Sequence, residues 1–526
     1  MTNHHLFRVG GRLVPVVLLC AGVLSIPDAA SASLAAGTLV RIPDNPLGGS
    51  ATCAALVTQQ EAKGSVNSPD SEVEPYVAVD PTNPSHLVAA IQQDRWNDGG
   101  DNGNTAAVST DGGAHWSLAA GQPTFTICSG ATSGSTSFFN RASDPWVSFS
   151  SDGKTVYQSS LAFNANGPAF GGASSIQVSA STDGGNHWNA PVAVKVDQST
   201  TVLNDKESVT ADPVNASTAY VVWDRLVSPS VNANPTAFLV TPAFRGPAWF
   251  AKTTDGGKTW SPGRIIYDPG EKNQTIGNQI VVPTAGSAQG TLIDGFLQIL
   301  TKGGKGNNPR AATNVAVLRS TDGGATWSAP VIVGQLIDAP VSIAGQAVRT
   351  GDTLPAFAAN PVNGDLYAVW QDGRFSPDGQ AKIAFSQSAD GGLTWSTPIR
   401  IDQSPGDVPA FTPQVSVNAA GTIAVSYYDL QNATAAQPGL TDAFTVSCPA
   451  ATSDCTKAAS WSAGGQTRLS TTGSFDMTTA PQTLEGFFVG DYEGLASSGT
   501  TFDAVFAMAK PIATTGQTDW FSNTAK

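Results

Sequence analysis

An eight-residue turn, Ser109-Thr-Asp111-Gly-Gly-Ala-His-Trp116, recurs with few changes at Ser181–Trp188, Thr253–Trp260, Ser320–Trp327 and Ser388–Trp395. Its aspartates, Asp111, Asp183, Asp255, Asp322 and Asp390, are separated by 72, 72, 67 and 68 residues. That period is too long for a solenoid unit and suits a four-stranded blade with generous loops, so an all-β propeller is expected. The turn has its own local logic. The aspartate accepts from backbone N–H groups two or three residues on, the paired glycines permit positive φ, and the Ser or Thr hydroxyl adds a further bond. The tryptophan is expected to cover the apolar side of its own hairpin.

A second element precedes each turn and reads as strand, tight turn, strand. Examples are Glu74–Pro81 with His86–Ile91, Glu207–Pro213 with Tyr220–Trp223, and Pro355–Pro361 with Leu366–Trp370; others open at Asp144, Gln279, Pro413 and Tyr492. Seven such pairs predict seven blades. Ser453-Asp454-Cys455 with Trp461 is then a degenerate sixth turn, and the seventh blade lacks an outer strand. Thr38–Ile42 is expected to supply it and close the ring, removing two exposed sheet edges. Residues 33–70 form a lead-in, residues 71–526 one propeller, and helix should be nearly absent.

The Ser-x-Asp-x-Gly-x-x-Trp pattern resembles the Asp box, or BNR repeat, of the sialidase superfamily. In that family the box joins the outer two strands of a blade and lies away from the active site, which implies a structural role for the five aspartates. Sialidase catalytic domains have six blades, so six is the alternative count and seven a departure.

The N-terminus carries Arg8 and Arg12, an apolar run from Val14 to Leu24 and small residues ending Ala30-Ser31-Ala32. Residues 1–32 therefore read as a secretory signal cleaved near Ala32. Leu19 before Cys20 argues against a lipoprotein box, and no later segment is apolar enough to span a bilayer. A secreted, monomeric protein is expected. Export leaves Cys53, Cys128, Cys448 and Cys455, an even number in an oxidising compartment. Cys448 and Cys455 bracket a short loop and should pair, leaving Cys53 for Cys128; buried free thiols are the alternative. Charged residues make up 13% of the chain and the net charge is −14, with no basic cluster. Nucleic acid is not expected as a partner.

Antiparallel pairing brings the start of each first strand beside the end of each second strand, at the mouth of a central funnel. Those positions are rich in Asp, Glu and Arg: Glu74, Asp144, Asp205-Lys206-Glu207 and Asp491-Tyr492-Glu493 open first strands, while Asp94-Arg95, Asp224-Arg225, Asp372-Gly-Arg374 and Tyr427-Tyr428-Asp429 close second strands. The sialidase resemblance implies three arginines for a sugar carboxylate, a tyrosine nucleophile with a glutamate, and an aspartate acid/base. On this sequence those roles fall to Arg95, Arg225 and Arg374; to Tyr492 or Tyr428; to Glu493 or Glu485; and to Asp94 or Asp144. The competing structural account makes the Asp-Arg pairs inter-blade salt bridges. Arg41-Ile42-Pro43 matches the family's Arg-Ile-Pro motif in letters but precedes the first long strand by some thirty residues.

Other chemistry finds little support. Asp98–Asn104 offers oxygen ligands without EF-hand spacing and is expected to be a solvated turn. His86, His115 and His187 have no spaced partner for zinc, and neither a G-x-S-x-G nor a phosphate loop occurs. No cofactor and no metal are expected. Two functions remain: an exo-α-sialidase-type glycoside hydrolase removing terminal sialic-acid-type sugars from glycoconjugates, or a non-catalytic propeller that binds a glycan or protein in the same funnel.

Overall fold

The computed structural model describes residues 34–230, 244–301, 310–351, 354–511 and 517–526. The expected secretory signal, residues 1–32, lies outside the described residues. Within them the chain is all-β, built of four-stranded antiparallel meanders whose strands follow chain order. One is Val202–Ala211, Ala219–Val227, Ala248–Thr253 and Arg264–Tyr267; the next is Gln274–Val281, Leu292–Thr301, Arg310–Ser320 and Val331–Gln335. The first two meanders, spanning Asn67–Leu118 and Arg141–Gln198, form one eight-stranded sheet joined at a single register pair, Asp101 with Ala142.

Second strands read as apolar runs because sheets pack on both of their faces. Along Ala219–Val227, Val221 and Trp223 enter one core with Val209 and Leu161, while Tyr220 and Val222 enter another with Phe250 and Ile280. Trp223, Trp370 and Trp520 are fully buried, and full burial of such large apolar side chains stabilises by roughly 2–3 kcal/mol each.

The five repeated turns form as hydrogen-bonded loops with one difference in reach. Asp111 Oδ1 accepts from the N–H of His115, four residues on, and Gly113 N–H donates to Ser109 Oγ. The same bonds recur at Asp183, Asp255, Asp322 and Asp390. The tryptophans do not simply cover their own hairpins. Trp188 packs with Val88, Val108 and Phe149, and Trp327 with Phe250, so each turn buttresses the preceding sheet as well. The second glycine makes that approach possible: a Cβ on Gly185, at φ +88°, would stand 2.6 Å from Val88 Cγ2.

Val40–Arg41 pairs antiparallel with Thr518–Ala525, Val40 opposite Ser522 and Arg41 opposite Phe521, as the outermost strand of the sheet Gly494–Ser498, Thr501–Ala509, Thr518–Ala525. Ile42 of the Arg-Ile-Pro triplet is buried in the core beside Trp520, and Arg41 bonds Asp519 at 2.7 Å, so the triplet is part of this seam. Cys53 is bonded to Cys128 and Cys448 to Cys455. Cys53 lies on an unforeseen helix, Ala51–Glu61, capped by Ser50. A small additional sheet was not anticipated either. Val341–Ile343 and Gln346–Arg349 meet Gly486–Phe488 and Gln482–Thr483 through a parallel pair, Val348 with Phe487.

Candidate functional site

Five first strands carry the same irregularity. Their register slips between Val73 and Tyr76, Ser143 and Trp146, Asp205 and Ser208, Ile276 and Gln279, and Phe411 and Gln414. Inside each slip one residue takes positive φ: Glu74, Asp144, Lys206, Gly277 and Thr412. For a non-glycine residue that conformation costs on the order of 1–3 kcal/mol, and bulges of this kind re-aim a side chain. Here they bring charges together. Lys206 Nζ donates to Glu74 Oε1 at 3.3 Å, Asp144 Oδ1 at 3.1 Å and Asp491 Oδ2 at 2.8 Å, all four side chains being buried.

Beside this hub opens a cleft whose polar lining includes Arg95, Asp144, Asp205, Lys206, Arg349 and Glu485, with Leu161, Phe163, Phe170 and Leu203 as apolar wall. Arg349 and Glu485 arrive on the small additional sheet. Arg349 pairs with Asp491 and, at 3.2 Å, with Glu485. Arg95 and Arg349 both lie against the Phe488 ring, 4.8 and 4.6 Å from its centroid.

The carboxyl groups are pushed in opposite directions. Burial alone would raise Asp144, but the Lys206 charge and hydrogen bonds from Glu74 and Lys206 outweigh it and hold Asp144 below the usual range. Asp205 is pushed well above it by burial and by the Asp144 charge. Both accept from one backbone N–H, that of Lys206, at 3.2 Å to Asp144 Oδ2 and 3.0 Å to Asp205 Oδ1. A carboxyl group held low and one pushed high thus share one donor at the cleft wall. Glu74 and Glu207 are likewise raised, chiefly by burial, and Asp491 is held low because Arg349 and Lys206 overcome its burial.

Arg95 is the cation left over. It is buried, donates from Nη1 to Gln92 Oε1 at 2.7 Å, and its Nε has no acceptor among the described residues. Burial, then the Arg349 charge, lower its pKa. This buried guanidinium lines the cleft.

Of the residues picked out from the sequence, Arg95 and Asp144 line this cleft together and Glu485 joins them. Arg225 does not: it binds Asp197 through Nε and Nη2 at 2.9 and 2.8 Å and lies over Trp249. Arg374 is held by Asp372 at 2.9 Å and by the Gln335 carbonyl of the preceding sheet. Each is thus held by an aspartate outside the cleft lining, Arg225 by Asp197 rather than by its neighbour Asp224. Asp94 accepts from the N–H groups of Leu47 and Asp70 and from Asn102, anchoring the lead-in. Tyr492 donates to the Pro145 carbonyl and packs edge-on against Trp146, and burial raises its pKa well above the usual range. Glu493 meets Tyr428, at 2.7 Å, in a tight apolar niche with Phe506 and Leu469. Burial raises Glu493, and the Tyr428 hydroxyl also lies 2.7 Å from the Ala507 carbonyl. Asp98 and Asp101 are not in a solvated turn. Asp98 pairs with buried Arg141 at 2.9 Å, and Asp101 begins a strand.

No protein-family model matches the chain, and no curated protein does. Among solved structures, a protein of unknown function from Dyadobacter fermentans aligns over 94% of this chain and 99% of its own, at 14% identity and TM-score 0.46. A sialidase from Streptococcus pneumoniae aligns over 84% and 83%, at 12% identity and TM-score 0.43. An α-L-arabinofuranosidase from Fusarium graminearum aligns over 74% and 92%, at 14% identity and TM-score 0.43.

Proposed function

We propose that the chain is a secreted seven-bladed β-propeller, closed by its N-terminal strand, that hydrolyses a glycosidic bond next to a carboxylated sugar, with the terminal sialic-acid class first among candidate substrates. The observation that carries this is the Asp144–Asp205 pair: two carboxyl groups on one N–H, one held low and one pushed high, in a cleft that also holds Arg95. Carboxyl groups pushed apart in pKa are what acid and base roles require. Asp205 gives its proton to the leaving oxygen, Asp144 acts as base or nucleophile, and Arg95 receives the substrate carboxylate. The two aspartates support this chemistry better than a tyrosine nucleophile does, since neither Tyr492 nor Tyr428 lines the cleft.

Non-catalytic glycan binding is the second reading, favoured by the saturation of Lys206 with three carboxylates. Hydrolysis of a fluorogenic sialoside, then of uronic-acid glycosides, tests the first. Asp205→Asn should lose activity on poor leaving groups and keep much of it on activated aryl glycosides, Asp144→Asn should lose both, and Arg95→Lys should weaken binding at least tenfold. Arg225→Lys should leave both unchanged and lower only the melting temperature. Binding that needs Arg95 without turnover of any carboxylated glycoside would select the second reading; absence of binding as well would reject both.

A further inference from the structure

At the seam between the first and last strands lies a carboxylate group that the proposed reaction does not use. One oxygen each of Asp44, Asp70 and Glu72 lie within 4.8 Å of one another. Asp44 follows the strand Val40–Arg41, and Asp70 and Glu72 lie near the start of Asn67–Asp80. Glu72 is the informative member. It is wholly buried; Gln93 Nε2 donates to its Oε1 at 2.6 Å, and its Oε2 has no donor among the described residues. A buried carboxylate oxygen left unpaired is costly, and the group either takes a proton or takes a cation.

The two cations that reach the cluster, Lys510 and Arg41, are each shared with Asp519. Lys510 Nζ lies 3.0 Å from Asp519 and 3.5 Å from Asp70, and Arg41 bonds Asp519 and Asp44. Two positive charges therefore serve four carboxylates, Asp44, Asp70, Glu72 and Asp519. Asp94, which accepts the Asp70 N–H, is satisfied by its other donors Leu47, Gln93 and Asn102. We propose that Asp44, Asp70 and Glu72 bind a calcium ion that locks the lead-in and the first long strand at the seam. All-oxygen, anionic donors select a hard cation. Calcium tolerates an irregular shell completed by water, whereas magnesium demands a near-ideal octahedron.

The indole N–H of Trp520 donates to the Pro43 carbonyl at 3.1 Å, one residue before Asp44. Terbium at the site is therefore sensitised by tryptophan excitation. Purified, EDTA-treated protein should give saturable terbium emission that calcium displaces and magnesium displaces at least tenfold less well. Millimolar calcium should raise its melting temperature by several degrees. Asp44→Asn, whose side chain is partly exposed, should fold and lose both effects, and Glu72→Gln should do the same. If Glu72→Gln does not fold, the wild type and Asp44→Asn decide. Absence of saturable emission from the wild type, emission unchanged in Asp44→Asn, or preferential displacement by magnesium would each overturn the proposal.

Discussion

Replacing Lys206 by methionine tests whether the charged hub is as demanding as its geometry implies. Methionine keeps the unbranched stem and removes the ammonium that bonds Glu74, Asp144 and Asp491. Asp491 retains Arg349 and Glu74 is already raised by burial, so Asp144 is the one group stranded as a buried anion. Breaking a buried ion pair from one side costs about 3–5 kcal/mol. With unfolding entropy of about 2.1 cal/mol/K per residue, a chain of 526 residues has roughly 1 kcal/mol/K at its midpoint, so the expected drop is about 3–5 °C at pH 7.5. The drop depends on pH. Asp144 and Asp491 are held low in the folded state, so the stabilisation they draw from Lys206 is present above the ordinary carboxylate pKa, about 4, and lost as pH falls through the depressed values. Lys206 is raised, so its own contribution holds below about pH 10 and fades above it. Calorimetry of Lys206→Met and wild type between about pH 2.5 and pH 9 should show the gap steady above about pH 5 and narrowing below about pH 4. A drop below 1 °C at pH 7.5, or one of equal size at about pH 2.5, would refute the reasoning.

The two disulfides should differ in worth. The 75-residue separation of Cys53 and Cys128 gives about 4–5 kcal/mol in a chain-entropy account against about 2 kcal/mol for the 7-residue Cys448–Cys455 loop, so Cys128→Ser should lower the denaturation midpoint by more than Cys455→Ser. Gly185→Ala should cost about 2–4 kcal/mol because it adds a contact with Val88 to positive-φ strain, whereas Gly290→Ala, at φ +75° in open space, should cost about 1 kcal/mol; equal losses in chemical denaturation would show that the turn does not buttress its neighbour.

Local signals in this chain were legible, and distant ones were not. The repeated turns, both cysteine pairs and the pairing of the N-terminal strand with the last one follow from short patterns with a strong physical cause. The site was half legible: Arg95 and Asp144 sit where strand ends were expected to converge, but Arg225 and Arg374 do not join them, because each finds an aspartate at closer range. Lys206 and Asp205 were seen only as strand openers. Their importance comes from a bulge with positive φ at a lysine, for which the sequence carries no glycine to mark the place. Arg349 was invisible because the parallel pairing of Val348 with Phe487 joins segments far apart in the chain.

The pairing of Val40 with Ser522 and Arg41 with Phe521 also sets an order of events during biosynthesis. The strand Val40–Arg41 must wait for Thr518–Ala525 before it has this partner. Cys53 and Cys128 both precede most of the chain, so their bond can form before the last strand is in place. Oxidation then tethers the waiting strand near the first finished sheet, and the local concentration of the strand is already high when residues 518–525 arrive. Late completion with early tethering makes the lead-in a latch that is mounted first and shut last.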